Sequence, residues 1–276
     1  KSYNAFKLFN PAVYPLMELW ELDATKIHDE SLQRKIPTPE QIDKILPFTD
    51  FTLVDFGQDD KGYFIKKLHK EVKIDFGGQA KGYGADLAVE ICKKYKLKAA
   101  IIDIGGNVYL YQSKPLTDGT TQKFSVVINM PDAKAVNYFC ALWVEDISLV
   151  TSGDYNRHFV QNNIKYAHIL NPLTGLPVNI IREYNEEDKT FIDTYDERGL
   201  VSVTIIHQNS ELADIYAKIV MLLGMEKGVE FMEENSLAGV LISNDHRYAA
   251  VGDMDQFDHN LANGYKKYEA YKEYKF

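Results

Sequence analysis

The segment that most constrains the fold is residues 73–86, where a short apolar strand meets paired glycines and a helix follows at once. After Ala80, apolar side chains recur at the spacing of a helix: Tyr83, Leu87, Ala88, Ile91 and Tyr95. Such a strand-to-helix turn offers backbone N–H groups and the Lys81 ammonium to an anion. The same glycines also suit a tight turn that lets the helix pack closely on a sheet, and spacing alone leaves both interpretations open.

Two familiar phosphate-binding fingerprints fail at this turn. Gly77, Gly78, Gly82 and Gly84 do not follow the Gly-x-Gly-x-x-Gly order of a dinucleotide site. Tyr83 stands after Gly82, where a P-loop requires Lys followed by Ser or Thr. Any phosphate chemistry at this turn therefore belongs to another architecture.

Composition narrows the class of protein. A chain of 276 residues with 45% hydrophobic and 26% charged residues is typical of a globular protein. Its net charge of −9 argues against a nucleic-acid surface, which needs a basic face, but allows one nucleotide ligand beside a local lysine.

Cys92 and Cys140 each lie in an apolar pattern and are predicted to be buried free thiols. No apolar run approaches the roughly 18 residues of a membrane span.

The order of elements predicts an α+β protein with mixed or antiparallel sheets and packed helices. We expect one domain over residues 1–252 and a polar C-terminal extension over 253–276, since neither repeats nor a low-complexity linker interrupts the chain. Thr38 and Gln41 have the spacing of a capping box, Asn209 suits the start of a helix, and Gly224 suits its end. The predicted helices are a short one within 10–20 after a turn, one from Pro39, 80–95 and 209–224. The predicted strands are 51–56, 63–68, 72–76, 99–104 (buried), 108–111, 124–128, 141–143, 148–151, 200–206 (alternating), 240–243 and 248–251. The charged residues 180–199 are expected to form an exposed hairpin or an insertion.

A second pair of glycines, Gly105 and Gly106, precedes Asn107 at the end of a predicted strand. A β-bulge or tight bend explains the glycines without any ligand. An asparagine in this place can also hydrogen-bond a ligand, so both interpretations stay open.

Polar side chains cluster again in residues 151–157 and 166–175. Thr151, Ser152 and Arg157 fall within seven residues, and His168 precedes a turn marked by Pro172 and Gly175. A lone histidine is more often structural than catalytic, but these polar neighbours favour a functional interpretation.

These segments together resemble the FAD:protein FMN transferases of the ApbE type. The resemblance rests on five segments in the family's order, preceded by a weaker match over 10–20: residues 75–83, 104–107, 151–157, 168–175 and Ala213-Asp214. It implies an ApbE-like α+β flavin transferase fold, with the N-terminal part of the family expected to be short or missing in this sequence. It also implies that FAD is bound, its pyrophosphate is cut, and FMN passes to a Ser or Thr hydroxyl of an acceptor flavoprotein while AMP leaves.

The resemblance implies roles for particular residues. His168 and Asp214 would be catalytic, and Mg²⁺ would be held by Asp214 and the carbonyl of Ala80, with Lys218 standing where the family has a threonine ligand. The residues expected to contact FAD are Gly78, Ala80, Lys81, Asn107, Thr151, Ser152, His168 and Thr174.

The resemblance also implies a location. Members are usually exported and often lipid-anchored, so a lipoprotein on the outer face of a bacterial cytoplasmic membrane is expected, with an anchor outside this chain.

Lys218 leaves two interpretations open. Asp214 and Lys218 at i, i+4 form an ordinary helix ion pair, or the lysine ammonium takes the place of the metal cation. Two alternative functions accompany this choice: a catalytically weakened FAD-binding protein, and an FAD pyrophosphatase that produces FMN and AMP.

Overall fold

The structure, a computed structural model, describes residues 6–22, 34–131, 138–155 and 157–252, and the backbone of Lys266–Lys267. Contacts divide the chain into two compact units. The first unit contains Tyr3–Phe76 and Asn156–Asp196, and the second contains Gly77–Tyr155 and Glu197–Phe276. The boundary predicted at residue 252 stays a prediction, and residues 253–276 lie outside the described part except for Lys266–Lys267.

The described residues form four α-helices, three 3-10 helices and seventeen strands. The α-helices are α1 (Tyr14–Leu19), α2 (Pro39–Ile45), α3 (Ala80–Lys94) and α4 (Ser210–Glu234), and the 3-10 helices are Pro11–Val13, Leu46–Thr49 and Phe51–Leu53. The strands are β1 (Val54–Asp59), β2 (Gly62–Lys67), β3 (Ala100–Ile104), β4 (Asn107–Tyr111), β5 (Lys114–Pro115), β6 (Thr121–Gln122), β7 (Phe124–Asn129), β8 (Tyr138–Val144), β9 (Ile147–Gly153), β10 (His158–Gln161), β11 (Ile164–Ala167), β12 (Ile180–Asn185), β13 (Thr190–Tyr195), β14 (Leu200–His207), β15 (Ala238–Ser243), β16 (Arg247–Val251) and β17 (Lys266–Lys267).

The first unit is built from the hairpins β1–β2, β10–β11 and β12–β13 and two short helices. Its apolar core gathers around Leu16 and Trp20 of the α1 region, which pack with Tyr166 and Leu170. The predicted capping box of α2 is confirmed, because the Thr38 and Gln41 side chains each accept a hydrogen bond from the other's backbone N–H.

The second unit is built on a seven-stranded sheet in the order β17-β16-β15-β14-β9-β4-β3. Its strands pair antiparallel except for the parallel β16–β17 pair, which confirms the predicted α+β class. Helix α4 packs on β14 and β9. The hairpin β7–β8 contributes Phe139 and Leu142 to a core shared with Val201 and Ile242 of the sheet.

Three strand predictions were wrong, one in the existence of the strand and two in its burial. Residues 72–76 form no strand, since the described part of the chain gives them no ladder partner; the backbone N–H of Asp75 donates to the carbonyl oxygen of Pro11 at 2.8 Å. Strand β14 is buried almost throughout rather than alternately, because it lies in the middle of the sheet. Strand β3 is an edge strand, with Ile101 65% exposed.

The helices also depart from their predicted details. In α3 the buried positions are Gly82, Ala85, Val89 and Cys92, whereas the larger apolar side chains on which the prediction was based are mostly exposed. Helix α4 does not end at Gly224, which adopts φ 77° and kinks the helix, and it continues to Glu234. Cys92 and Cys140 are buried and free, as predicted. Among the described residues, no helix combines the length and apolar character needed to cross a membrane.

Candidate functional site

The candidate site lies in the second unit, where α3 and α4 begin side by side. A Cβ atom on Gly82 would lie 2.3 Å from the backbone oxygen of Ser210, so only glycine allows this approach. The Asp86 carboxylate accepts hydrogen bonds from the backbone N–H groups of Ser210 and Glu211, each at 2.9 Å. Helix N-termini present N–H groups without intrahelical partners, so Asp86 caps α4 from the neighbouring helix.

Asp214 is the centre of the site. It lies in the first turns of α4 and its side chain is 1% exposed. Its Oδ2 accepts from the backbone N–H of Gly82 at 3.1 Å and from Nδ2 of Asn107 at 2.9 Å, and its Oδ1 accepts from Nζ of Lys218 at 2.5 Å. These three donors come from α3, β4 and α4, so the carboxylate joins elements that are far apart in sequence.

The second glycine pair positions Asn107. Gly105 and Gly106, at φ 57° and 90°, form the two-residue turn of the β3–β4 hairpin, which ends on the Ile104–Asn107 pair. The Asn107 side chain is fully buried, and its Oδ1 accepts from Nζ of Lys81 at 3.2 Å. The tight-turn interpretation is therefore confirmed, while the turn also places the asparagine between Lys81 and Asp214.

Two ammonium groups flank this one carboxylate. Nζ of Lys218 donates to Asp214 Oδ1 and, at 3.1 Å, to the backbone carbonyl of Asp214. Burial lowers the pKa of Lys218 and the nearby Lys81 lowers it further, while the Asp214 carboxylate opposes both effects. The three side chains Lys81, Lys218 and Asp214 together carry one excess positive charge, which attracts an anion such as a phosphate; the Asp86 carboxylate is taken up by the N–H groups of α4.

The cluster does not fit the expected magnesium ion. Mg²⁺ requires hard oxygen ligands in a nearly octahedral arrangement about 2.0–2.1 Å from the metal. The Lys218 ammonium already lies against Asp214 Oδ1, and both oxygens of this carboxylate accept hydrogen bonds. The described residues contain no group of three or more His, Cys, Asp or Glu side chains able to hold a metal.

The other predicted residues of the second unit lie around this cluster or on the sheet. Gly78 is half-buried in the turn before α3, and Ala80 is exposed at the first position of that helix. On β9, Thr151 Oγ1 lies 2.8 Å from Thr204 Oγ1 on the paired strand β14, and Ser152 is buried. The Thr151 hydroxyl therefore pairs with a residue of the sheet rather than with a member of the Asp214 cluster.

His168 and Thr174 belong to the first unit. His168 follows β11, and its Nδ1 lies 3.1 Å from the carbonyl oxygen of Arg157. A carbonyl oxygen only accepts, so Nδ1 of His168 is the donor in this contact. Thr174 Oγ1 accepts from the backbone N–H of Leu176 at 3.3 Å in an exposed turn.

Two contacts of the site were not predicted from the sequence: the bond from the Gly82 N–H to Asp214 and the cap that Asp86 provides to α4. Gly82 and Asp86 both lie in the segment 73–86, but their partners on α4 are more than a hundred residues away. Such long-range contacts leave no local pattern in the sequence from which they could be predicted. The small residues on one face of α3, Gly82 and Ala85, were the available sign of a close helix approach.

Fold and site together define an α+β protein with a lysine-lined, anion-attracting cluster at the start of two adjacent helices. Comparison with solved structures agrees on the fold: the ApbE protein of Thermotoga maritima superposes with a TM-score of 0.66 at 24% identity, over 95% of this chain and 71% of that one. The model of the ApbE family matches residues 4–241, and the chain belongs to this family.

Curated relatives agree with this membership. The FAD:protein FMN transferase of Treponema pallidum (strain Nichols) is 27% identical over 233 residues, which are 82% of this chain and 58% of that protein. The FAD:protein FMN transferase of Klebsiella pneumoniae (strain 342) is 30% identical over 220 residues, which are 80% of this chain and 58% of the relative. The chain thus spans a little under three fifths of the length of these relatives.

Proposed function

We propose that this protein is an FAD:protein FMN transferase. It would bind FAD and transfer FMN to a Ser or Thr hydroxyl of an acceptor flavoprotein, with AMP as the second product. The observation that carries the proposal is the pair of ammonium groups, Lys81 and Lys218, held about the buried Asp214–Asn107 hydrogen bond. The names of the relatives, which share the ApbE family with this chain, supply the substrate.

The proposed reaction is a phosphoryl transfer. The acceptor hydroxyl oxygen forms a bond to the FMN-side phosphorus while the bond from that phosphorus to the bridging pyrophosphate oxygen breaks, and AMP carries away the bridging oxygen. The proton of the hydroxyl passes to a base. The family resemblance alone names His168 for this role. The transition state spreads negative charge over phosphate oxygens, so cations held in place lower its energy.

We assign a separate role in phosphate binding or positioning to each of Lys81, Asn107 and Asp214. Lys81, half-buried at the start of α3, is the cation we assign to the pyrophosphate. Asn107 accepts from Lys81 and donates to Asp214, so it fixes the ammonium and the carboxylate relative to one another. Asp214 acts as a positioning residue, because its oxygens are used to hold Gly82, Asn107 and Lys218.

Two further functions use the same site. An FAD pyrophosphatase would pass the phosphoryl group to water and release FMN and AMP. A catalytically weakened FAD-binding protein would hold FAD unchanged; the Lys218–Asp214 contact is the observation that favours it. The lipid-anchored, extracytoplasmic location and the identity of the acceptor remain proposals based on the family resemblance.

The test is to incubate the protein with FAD, with and without an acceptor flavoprotein, and to separate FAD, FMN and AMP. A transferase gives AMP and acceptor-bound flavin, and free FMN stays low. Lys81→Met should lower the rate by roughly tenfold to a hundredfold, the value of a hydrogen bond to a charged group. Lys98→Met, an exposed lysine of the same unit, is the matched control and should keep the wild-type rate. Flavin that survives unchanged would refute the proposal.

A further inference from the structure

The contact between Lys218 and Asp214 differs from an ordinary ion pair on a helix surface. Residues at i and i+4 share one helix face, and most such pairs lie in water and contribute little. Here the Asp214 side chain is 1% exposed and the Lys218 side chain is 18% exposed. Burying an ammonium group to this extent costs desolvation free energy, so a contribution to stability alone is a poor explanation for the pair.

The arrangement around Asp214 is also more positive than a structural pair requires. One carboxylate suffices to neutralise one lysine, yet Lys81 is linked to the same carboxylate through Asn107. Asp214 additionally accepts from the backbone N–H of Gly82. Among the described residues, the three hydrogen-bond partners of the carboxylate are the Gly82 N–H, Asn107 and Lys218. The excess positive charge of Lys81 and Lys218 over Asp214 would attract an anionic ligand.

We propose that the Lys218 ammonium is a built-in cation that takes the place of a divalent metal at Asp214, so that this chain binds FAD without magnesium. The inference rests on the proposed function for its choice of ligand. An ammonium has three N–H donors, and Asp214 receives two of them through Oδ1 and its backbone carbonyl. The third N–H is left for a phosphate oxygen.

Lys218 and a metal ion exclude one another at this carboxylate. A divalent ion bound to Oδ1 would lie next to the ammonium, and two like charges in a buried site repel strongly. Threonine at position 218 would instead free Oδ1 and add a hydroxyl oxygen one turn away on the same helix face, which is a hard ligand of the kind Mg²⁺ prefers. Lys218→Thr should thus convert the site from a metal-independent to a metal-dependent one.

The experiment measures two bindings. The affinity for FAD is measured by flavin fluorescence in excess EDTA and in millimolar Mg²⁺, and the affinity for Mg²⁺ is measured by titration calorimetry on the protein alone. For the wild type, the Kd for FAD should agree within about twofold between the two buffers, and no Mg²⁺ binding should appear. For Lys218→Thr, FAD affinity in EDTA should fall by about tenfold or more, Mg²⁺ should restore most of it, and Mg²⁺ should bind the protein alone. Lys227→Thr, an exposed lysine of the same helix, should match the wild type.

Wild-type protein that loses FAD in EDTA, or that binds Mg²⁺ without FAD, would overturn the inference. If Lys218→Thr does not fold by circular dichroism, these wild-type measurements and Lys218→Met decide: Met removes the ammonium at similar length and should weaken FAD binding in EDTA. If the wild type binds no FAD in either buffer, the proposed function fails, while the Mg²⁺ titrations of wild type and Lys218→Thr still decide whether the ammonium excludes a metal.

Discussion

Replacing Gly82 by alanine should destabilise the protein, whereas the same replacement two residues later should stabilise it. At Gly82 the new Cβ would lie 2.3 Å from the Ser210 oxygen and 2.7 Å from the Glu211 Cα. At Gly84 the nearest heavy atom, Cγ2 of Ile104, is 4.0 Å away. Both glycines lie in the first turns of α3.

The magnitudes follow from these distances. Alanine in place of glycine in a helix contributes about 0.5–1 kcal/mol, so Gly84→Ala should gain up to that amount. Gly82→Ala has the same gain, but overpacking against a rigid helix backbone costs about 1–3 kcal/mol. Separation of α3 from α4 would also stretch the 3.1 Å bond from Gly82 N–H to Asp214, a loss of about 1 kcal/mol. The two variants should therefore differ by about 2–4 kcal/mol in the free energy of unfolding.

Urea unfolding followed by circular dichroism measures both variants against the wild type. Because the chemical change is identical, differences in the unfolded chain largely cancel between them. Equal shifts of both midpoints in the same direction would refute the close contact of α3 and α4. A selective fall in FAD affinity for Gly82→Ala would further connect this contact to the site.

Three further predictions concern stability. Asp86→Ala removes the acceptor for two N–H groups at the start of α4 and should cost about 0.5–2 kcal/mol by urea unfolding; Asp86→Asn, which keeps one oxygen, should cost less, and equal stability of all three proteins would contradict the capping role. Gly224→Ala should cost about 1 kcal/mol although space is open around it, because φ 77° disfavours an L-residue; a neutral effect would mean that the kink is unnecessary. Burial raises the pKa of the Cys140 thiol from 9.0 to about 12 and that of Tyr109 from 10.0 to about 12. The unfolded chain therefore loses these protons at lower pH than the folded protein, so the free energy of unfolding should be intact below pH 9 and fall as the pH rises toward 12. Cys140→Ala should make that fall shallower.

The sequence predicted best those elements whose signals are local. The capping box at Thr38 and the cap at Asn209 were both found where the side chains meet backbone N–H groups of the same turn. The paired glycines before Asn107 predicted a tight turn because two successive positive φ angles leave little choice of residue.

Features that depend on partners distant in sequence were either not predicted or predicted wrongly. Residues 72–76 have the composition of a strand, but a strand exists only where another supplies its ladder. The larger apolar side chains of α3 suggested its buried face, while the close approach of α4 at Gly82 selects the face with small residues instead. The hydrogen bond from Gly82 to Asp214 crosses 132 residues, so the site could be proposed only through the family resemblance.

The most direct test of the central claim is the ratio of the two products of one reaction. The protein is incubated with FAD and an acceptor flavoprotein, AMP is quantified by chromatography, and FMN attached to a Ser or Thr of the acceptor is quantified by mass spectrometry. The transferase account predicts AMP and attached FMN in equal amounts, with an acceptor Ser or Thr→Ala variant giving neither. AMP accompanied by an equal amount of free FMN, or FAD left intact, would contradict it.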